Sequence, residues 1–405
     1  MIGKKTERTN KLLALYLLVM SFEYYIEYYS GSLGVSWALI IFRGLALLTV
    51  LFSVYSFVVN LSSCDNYYSL SLTLFFLLNL LFSFITITIP GFKASYNNSA
   101  LIYFQVLLAL GLWKTNIHSF EKPFLIICIS GIVIVLVTFS ANSIDLARAL
   151  RRGYAWSNLF FLNSVFWAFT PIVLYSVIFN KYKWIAFTYG ISAIIFNTLF
   201  LKRYILADSF LLFFIILMLL YFNRKIKLRL VIIGSLVIIL LVFLLPYYQN
   251  STIGFLFLSS VDRINQTNVG SFERFVELEN YLSSASLSDV ILGRGFCGTH
   301  QGLGVIAFAL HVGWGNFLLK GGVLFLLLML FPAIRAIVLF PRVGTFSKEN
   351  QWFISYVVIE TLRLIYTNKH SFSPDLFMFL YACVNVMVIS NSNSNHIQKR
   401  GAWKR

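Results

Sequence analysis

About twelve apolar runs, most of them long enough to cross a bilayer, restrict this 405-residue chain to very few architectures. They fall near residues 11–29, 34–60, 68–89, 99–113, 123–142, 157–179, 184–201, 205–222 and 229–246, then near 322–340, 352–367 and 375–391. Hydrocarbon offers no water to satisfy backbone N–H and C=O groups, so lipid-embedded runs of this kind become helices that bond internally. The expected fold class is all-α, a polytopic integral membrane protein of about twelve transmembrane helices with one large extracytoplasmic loop. A further apolar stretch, 303–319, is punctuated by Gly304, His311, Gly313 and Gly315, with Gly302 just before it. It reads as a re-entrant or surface helix. Composition agrees with this class, since only 12% of residues are charged and 59% are hydrophobic, against roughly a quarter charged in a soluble domain.

The net charge of +17 would point a soluble chain toward nucleic acid. Here the excess lies in short loops between apolar runs, so nucleic acid is not an expected partner. The first 22 residues have the charged and apolar regions of a signal peptide but no small-residue cleavage site, and they run into Glu23-Tyr24-Tyr25. They read as a retained first span. Basic residues are normally kept on the cytoplasmic side, and placing Lys4, Lys5, Arg8 and Lys11 inside also puts Arg224, Lys225, Lys227 and Arg229 inside. The tail Lys399, Arg400, Lys404 and Arg405 then falls on the same side. The implied organisation is nine membrane helices over 1–246, an outer loop over 247–320, three more helices over 321–391 and a basic cytoplasmic tail over 392–405. The expected location is a bacterial inner membrane with both termini in the cytoplasm.

That topology leaves Arg148, Arg151, Arg152, Arg203, Arg274 and Arg294 on the outer face, where arginine needs another reason to be. Arg148 and Arg152 share a helical face, where like charges repel unless an anion lies between them. Guanidinium keeps its charge and binds phosphate oxygens bidentately, so an anionic lipid-linked substrate or the lipid phosphates themselves would satisfy the group. Loops as long as 247–320 are usually functional, and this one concentrates the polar chemistry. Phe272, Phe275, Val276, Leu278 and Leu282 pattern one side of an amphipathic helix, with Glu273, Arg274 and Glu277 on its polar faces. Residues 293–298, Gly-Arg-Gly-Phe-Cys-Gly, form a turn with Arg294 projecting from it. His311 precedes Asn316 and the Gly321-Gly322 pair, and histidine accepts a proton near neutral pH. Inside the apolar runs, Arg43 has Glu23 or Glu27 as a partner within reach, and Glu360 and Arg363 stand three residues apart as a second internal pair. Tyr24, Tyr25, Tyr28 and Tyr29 read as an interfacial belt. The cysteines Cys64, Cys128, Cys297 and Cys383 have no metal or redox spacing and the five histidines no paired-ligand pattern, so no metal or cofactor is expected.

These features resemble, in their order, the O-antigen polymerase (Wzy) and O-antigen ligase superfamily of cell-envelope enzymes. The resemblance rests on Lys202-Arg203 opening the eighth run, a basic inner loop, then a large outer loop. That loop carries Arg274 in an amphipathic helix, Gly293-Arg294-Gly295, His311 with Asn316, and Gly321-Gly322. The resemblance implies a metal-independent glycosyltransferase that moves a glycan from undecaprenyl pyrophosphate to a sugar hydroxyl. Arg203, Arg274 and Arg294, with Arg148, Arg151 and Arg152 nearby, would bind the pyrophosphate and stabilise the leaving group. His311, Glu273 or Glu277 would take the acceptor proton. Polymerases use a second lipid-linked repeat unit as acceptor and ligases the lipid A core. A flippase for the same lipid-linked oligosaccharide is the non-enzymatic alternative. Implied partners are the undecaprenyl-pyrophosphate-linked oligosaccharide, membrane lipid, and a chain-length regulator and flippase of the same pathway.

Overall fold

A computed structural model describes residues 117–141, 166–199, 203–222, 268–294, 299–302, 305–307, 310, 313–343, 347–366, 378–387 and 389–390, with isolated helical positions at 44, 48, 51, 55, 74 and 77. After a 3₁₀ turn at Ile117–Phe120 comes α1 (Glu121–Ala141). Pro123 stands in its first turn, where a missing N–H costs nothing. Then follow α2 (Phe169–Phe179), α3 (Lys183–Leu199) and α4 (Arg203–Phe222). Beyond residue 267 lie α5 (Asn268–Ser284) and α6 (Leu287–Leu292), a hairpin of β1 (His300–Gly302) and β2 (Val305–Ala307), then α7 (Gly313–Val343) and α8 (Lys348–Tyr366). A shorter apolar helix, α9, covers Met378–Met387. The hydropathy runs at 123–142, 184–201 and 205–222 thus correspond to α1, α3 and α4 within about three residues at each end.

Two helices among the described residues are long and apolar enough to cross a membrane, Ile117–Val137 and Trp314–Pro341. Both carry a stripe of exposed apolar side chains at helical spacing: Ile126, Ile129, Val133 and Leu136 on α1, and Leu327, Ile334 and Val338 on α7. A helix that is apolar on its packed side and again on its open side has the composition of a membrane span. The second of these helices is broken at Gly322 (φ 68°, ψ −167°), where hydropathy puts the start of a span. The run from Val323 to Pro341 then rises about 28 Å at 1.5 Å per residue, close to the roughly 30 Å of a hydrocarbon core.

The fold departs from the all-α expectation at one place. The stretch 303–319 is not one surface helix, because β2 occupies Val305–Ala307 and regular helix begins only at Gly313. Residues His300, Gln301 and Gly302 pair antiparallel with Ala307, Ile306 and Val305. The β-branched Val305-Ile306 pair favours the extended chain, and the adjacent Gly302 and Gly304 disfavour helix.

By contact density the chain divides into two compact units, residues 24–33 and 124–272 in one and residues 1–23, 34–123 and 273–405 in the other. In the first, α2, α3 and α4 pack on one another around buried aromatics, with Phe166 against Tyr189 at 5.5 Å and Phe124 edge-on to Tyr175 at 5.7 Å between ring centroids. In the second, Tyr381 of α9 lies between Phe120 and Phe353, at 5.0 and 5.7 Å, and Trp352 stacks on Tyr356 of α8. Offset and edge-on aromatic pairs of this kind add about 0.5–1.5 kcal/mol beyond their burial. Cys128 and Cys383 are buried free thiols, in keeping with a packing role. Glu360 and Arg363 form the expected internal pair, with Arg363 Nη1 donating to Glu360 Oε1 at 2.5 Å.

Candidate functional site

The polar segment predicted to carry the chemistry folds against the start of α7. Its core is Leu278 and Tyr281 from α5, Leu310, and Leu318 and Leu319 from α7, with Ala285 and Trp314 packed against them. This arrangement corrects the expected amphipathic face of α5. Glu277, expected on a polar face, is only 6% exposed, whereas Leu282, expected on the apolar side, is 43% exposed. The inward face is set by Tyr281, which lies four residues from Glu277 and three from Leu278, one helical turn away. Glu273 and Arg274 fall within α5.

Helix α6 begins with a capping box. Ser286 Oγ accepts from Asp289 N at 3.2 Å, and Asp289 Oδ2 accepts from Ser286 N at 3.1 Å. The same carboxylate oxygen receives Arg294 Nε at 3.1 Å. Arg294 also donates from Nη1 to Thr299 O at 2.9 Å and from Nη2 to Ser284 O at 3.2 Å, and its guanidinium carbon stands 5.1 Å from the centroid of the Tyr281 ring. Three of the five guanidinium N–H groups are thereby engaged within the protein. Rather than projecting freely from its turn, Arg294 ties the end of α5, the cap of α6 and the residue before β1 to one point. What it still offers an anion is its outer edge, with the charge partly balanced by Asp289.

Backbone contacts complete the tie. At the Gly322 break the last carbonyls of the first half of α7 lack helical donors. Leu319 O accepts from Arg294 N at 2.8 Å, and Leu318 O accepts from the Tyr281 hydroxyl at 3.4 Å. Gly293 (φ 73°, ψ −177°) and Gly322 adopt the same conformation, one open almost solely to glycine. Each sits against the other's strand of backbone.

Asn316 is fully buried, and its amide grips the backbone of Leu310 on both sides. Oδ1 accepts from Leu310 N at 2.7 Å and Nδ2 donates to Leu310 O at 2.6 Å. Leu310 immediately precedes His311, so Asn316 anchors the chain at the point where the candidate base enters. The candidates His311, Arg148, Arg151 and Arg152 lie outside the described residues, and Arg203 is the first residue of α4. The structure therefore brings Arg294 and Asn316 together around one core, and Glu277 is buried one residue before Leu278 of that core. Lys320 joins them at 2% exposure, and His300 is likewise buried at the start of β1. Neither stood out as a candidate in the sequence. For Lys320 the signal was present: a lone lysine inside Asn-Phe-Leu-Leu-Lys-Gly-Gly-Val-Leu is a charge in an apolar run, which requires partners. Among the described residues no cluster of His, Cys, Asp or Glu is arranged to hold a metal ion.

Burial pushes the Tyr281 hydroxyl above its usual pKa, with the nearby Arg294 charge opposing that and Asp289 adding to it. For Asp289, burial pushes upward, but the hydrogen bonds from Ser286 and Arg294 outweigh it and hold the carboxyl below its usual range. A carboxylate whose folded pKa is depressed contributes stability above its unfolded value, near 4, and loses it as pH falls through the folded value. Asp289→Asn is therefore expected to lower stability at neutral pH by about 1–2 kcal/mol, through a weakened cap and a lost partly exposed ion pair. It should also flatten the loss of thermal stability in micelles between about pH 5 and about pH 3. An unchanged slope would assign that acid sensitivity to other groups.

No family model, no curated protein and no solved structure matches this chain.

Proposed function

We propose that this protein is a membrane polysaccharide polymerase, transferring a glycan from undecaprenyl pyrophosphate to a sugar hydroxyl of another lipid-linked repeat unit. The observation that carries this reading is that the segment 268–322, with Glu277, His300, Asn316 and Lys320 buried in it, runs into a helix apolar enough to cross a membrane. A reaction on a lipid-linked substrate needs its polar groups held at the edge of the bilayer, and this segment is tied down by Arg294, Asn316 and paired glycines. The fold is read as multi-pass in a bacterial inner membrane, with the segment on the outer face and both termini inside.

In this mechanism Arg274 binds the pyrophosphate and offsets the charge that develops as the glycosidic C–O bond to it breaks. Arg294, already tied to Asp289, contributes its free edge and chiefly holds the site's shape. His311 takes the proton from the acceptor hydroxyl as its oxygen attacks the anomeric carbon, and Glu273 and Glu277 are the alternative bases. Attack opposite the leaving group inverts that carbon.

The test is the surface-polysaccharide banding pattern of a deletion strain complemented with wild type, Arg274→Ala or His311→Ala. Loss of the ladder with single repeat units still attached is the expected result, with His311→Ala lowering polymer at least about a hundredfold. Loss of every attached unit, with lipid-linked polymer accumulating, would mean a ligase instead. Single lipid-linked units trapped on the inner leaflet would mean a flippase.

A further inference from the structure

We infer that α6 is an in-plane membrane anchor, with Leu287 and Ile291 seated among phospholipid acyl chains at the bilayer surface where the span in α7 begins. The inference rests on the membrane reading of α7 and is independent of the reaction proposed for the protein.

Three observations carry it. The first is a helix whose apolar side chains find no core. Its six residues, Leu-Ser-Asp-Val-Ile-Leu, are mostly apolar, yet none is fully buried. Leu287 is 77% exposed, and Ile291 and Leu292 are exposed as well. A helix this short is marginal in water. The capping box fixes its start and the tie from Arg294 its end, but open leucine and isoleucine side chains gain nothing from either. They gain when an apolar medium covers them.

The second observation is the division of the helix. Leu287 and Ile291 stand four residues apart and share one side. Asp289 falls on the opposite side, where it accepts from Ser286 N and from Arg294 Nε. Apolar groups on one side and an ion pair on the other is the pattern of a helix lying at a membrane surface.

The third observation is depth. The backbone of Ile291 and Leu292 lies against Gly322, so closely that a Cβ there would strike the Ile291 carbonyl. Arg294 N, two residues on, donates to Leu319 O at 2.8 Å. Helix α6 is thus fixed at the break where the apolar run of α7 begins. Just past that break Val323, Leu324 and Leu327 are exposed, and the open apolar stripe continues through Ile334 and Val338. Leu327 lies about 7.5 Å along the helix from Gly322, and interfacial helices bury their apolar face about 5–10 Å into the boundary of headgroups and acyl chains.

Continuity with that stripe fixes the occupant. The medium that covers Val323, Leu324 and Leu327 on a spanning helix is lipid, and α6 is held at the same end of the same helix. Acyl chains cover such a surface without needing a complementary shape. The anchor keeps the Arg294 turn at the membrane surface, because that turn and α6 are tied to the same point of α7.

The test places nitroxide labels at Leu287→Cys, Ile291→Cys, Ser283→Cys and Leu327→Cys in the full-length protein, on a Cys64→Ser, Cys297→Ser background, in phosphatidylcholine vesicles. Cys128 and Cys383 are buried and stay unlabelled. The four labelled positions are exposed, so the variants fold. Power saturation compares collisions with oxygen, which concentrates among acyl chains, and with a nickel chelate, which stays in water. The oxygen-to-nickel ratio should be severalfold higher at 287 and 291 than at 283, and close to its value at 327. These vesicles contain no polyprenyl chain, so such a ratio reports contact with phospholipid. A ratio at 287 and 291 equal to that at 283 puts α6 in water and overturns the inference. Low collision rates with both reagents overturn it too, since protein then covers the helix, a second copy if the spectra also broaden by spin–spin coupling. The label at 327 separates the two levels. Lipid contact at 327 without it at 287 and 291 defeats this inference alone, whereas water contact at 327 defeats the membrane reading as well.

Discussion

Replacing Glu360 by leucine, or Arg363 by methionine, is expected to destabilise the protein by about 3–5 kcal/mol, and replacing both together to cost far less than either. The two side chains lie one turn apart on α8 with the Arg363 Nη1–Glu360 Oε1 bond between them, and both are buried, at 1% and 0% exposure. An exposed ion pair is worth little, because water screens it and competes for its hydrogen bonds. A buried pair differs in the penalty for breaking it. Removing the carboxylate leaves a guanidinium in a poorly solvating interior, and removing the guanidinium leaves an ionised carboxylate there. Removing both leaves neither charge, and apolar side chains of similar volume recover much of the packing. Neither residue is confined to this one contact, so the double variant is not expected to match wild type fully. Thermal midpoints in micelles for wild type, both singles and the double give the coupling directly. Additive losses would show that the two charges are held by other groups and that their pairing is incidental.

Hydropathy located elements well in this chain and located contacts poorly. The limits of α1, α3 and α4 follow from runs of apolar residues ended by Lys, Arg or Asn, because a helix in an apolar setting continues until a charge or cap stops it. The Glu360–Arg363 pair was legible for a related reason: two opposite charges at i, i+3 in an apolar run have few other partners within reach. The polar segment was legible as a place but not as a geometry. Glu277 and Leu282 exchanged their expected faces because the inward side of α5 is chosen by Tyr281, whose hydroxyl reaches carbonyls of Asp289 and Leu318, the latter far along the chain. Periodicity sees apolar spacing and cannot see that distant acceptor. Arg294 was legible as an arginine in a glycine turn, but its tie to Asp289 depends on a cap five residues earlier that points the carboxylate back toward it. The helix expected over 303–319 gave way to a hairpin where two β-branched residues follow closely spaced glycines, a local preference that mean apolarity does not register.

Gly322→Ala is expected to cost about 3–5 kcal/mol and to release the turn at Arg294, the sum of an unfavourable backbone region and forced overpacking. A methyl built on Gly322 would lie 2.2 Å from the carbonyl oxygen of Ile291 and 2.6 Å from the nitrogen of Leu292. Both are main-chain atoms, so no side-chain rotation makes room. Gly293 presents the reciprocal problem, since its methyl would lie 2.4 Å from the nitrogen of Gly321. Two backbones therefore touch at a place where neither tolerates a Cβ, and the bond from Arg294 N to Leu319 O spans the same contact. Either substitution must separate α6 from the break in α7, and once separated the second substitution adds little, so the double variant should cost less than the sum of the singles. Release is visible chemically. Trypsin cuts after arginine, Arg294 included, and in the wild type the backbone nitrogen and side chain of Arg294 are both held. Cleavage after Arg294 should accelerate in Gly322→Ala and Gly293→Ala, and remain at the wild-type rate in Leu327→Ala, whose side chain is exposed on the same helix. Equal cleavage in all of them would mean that the glycine contact does not hold the turn, and with it would fall the view that this segment is pre-shaped before substrate arrives.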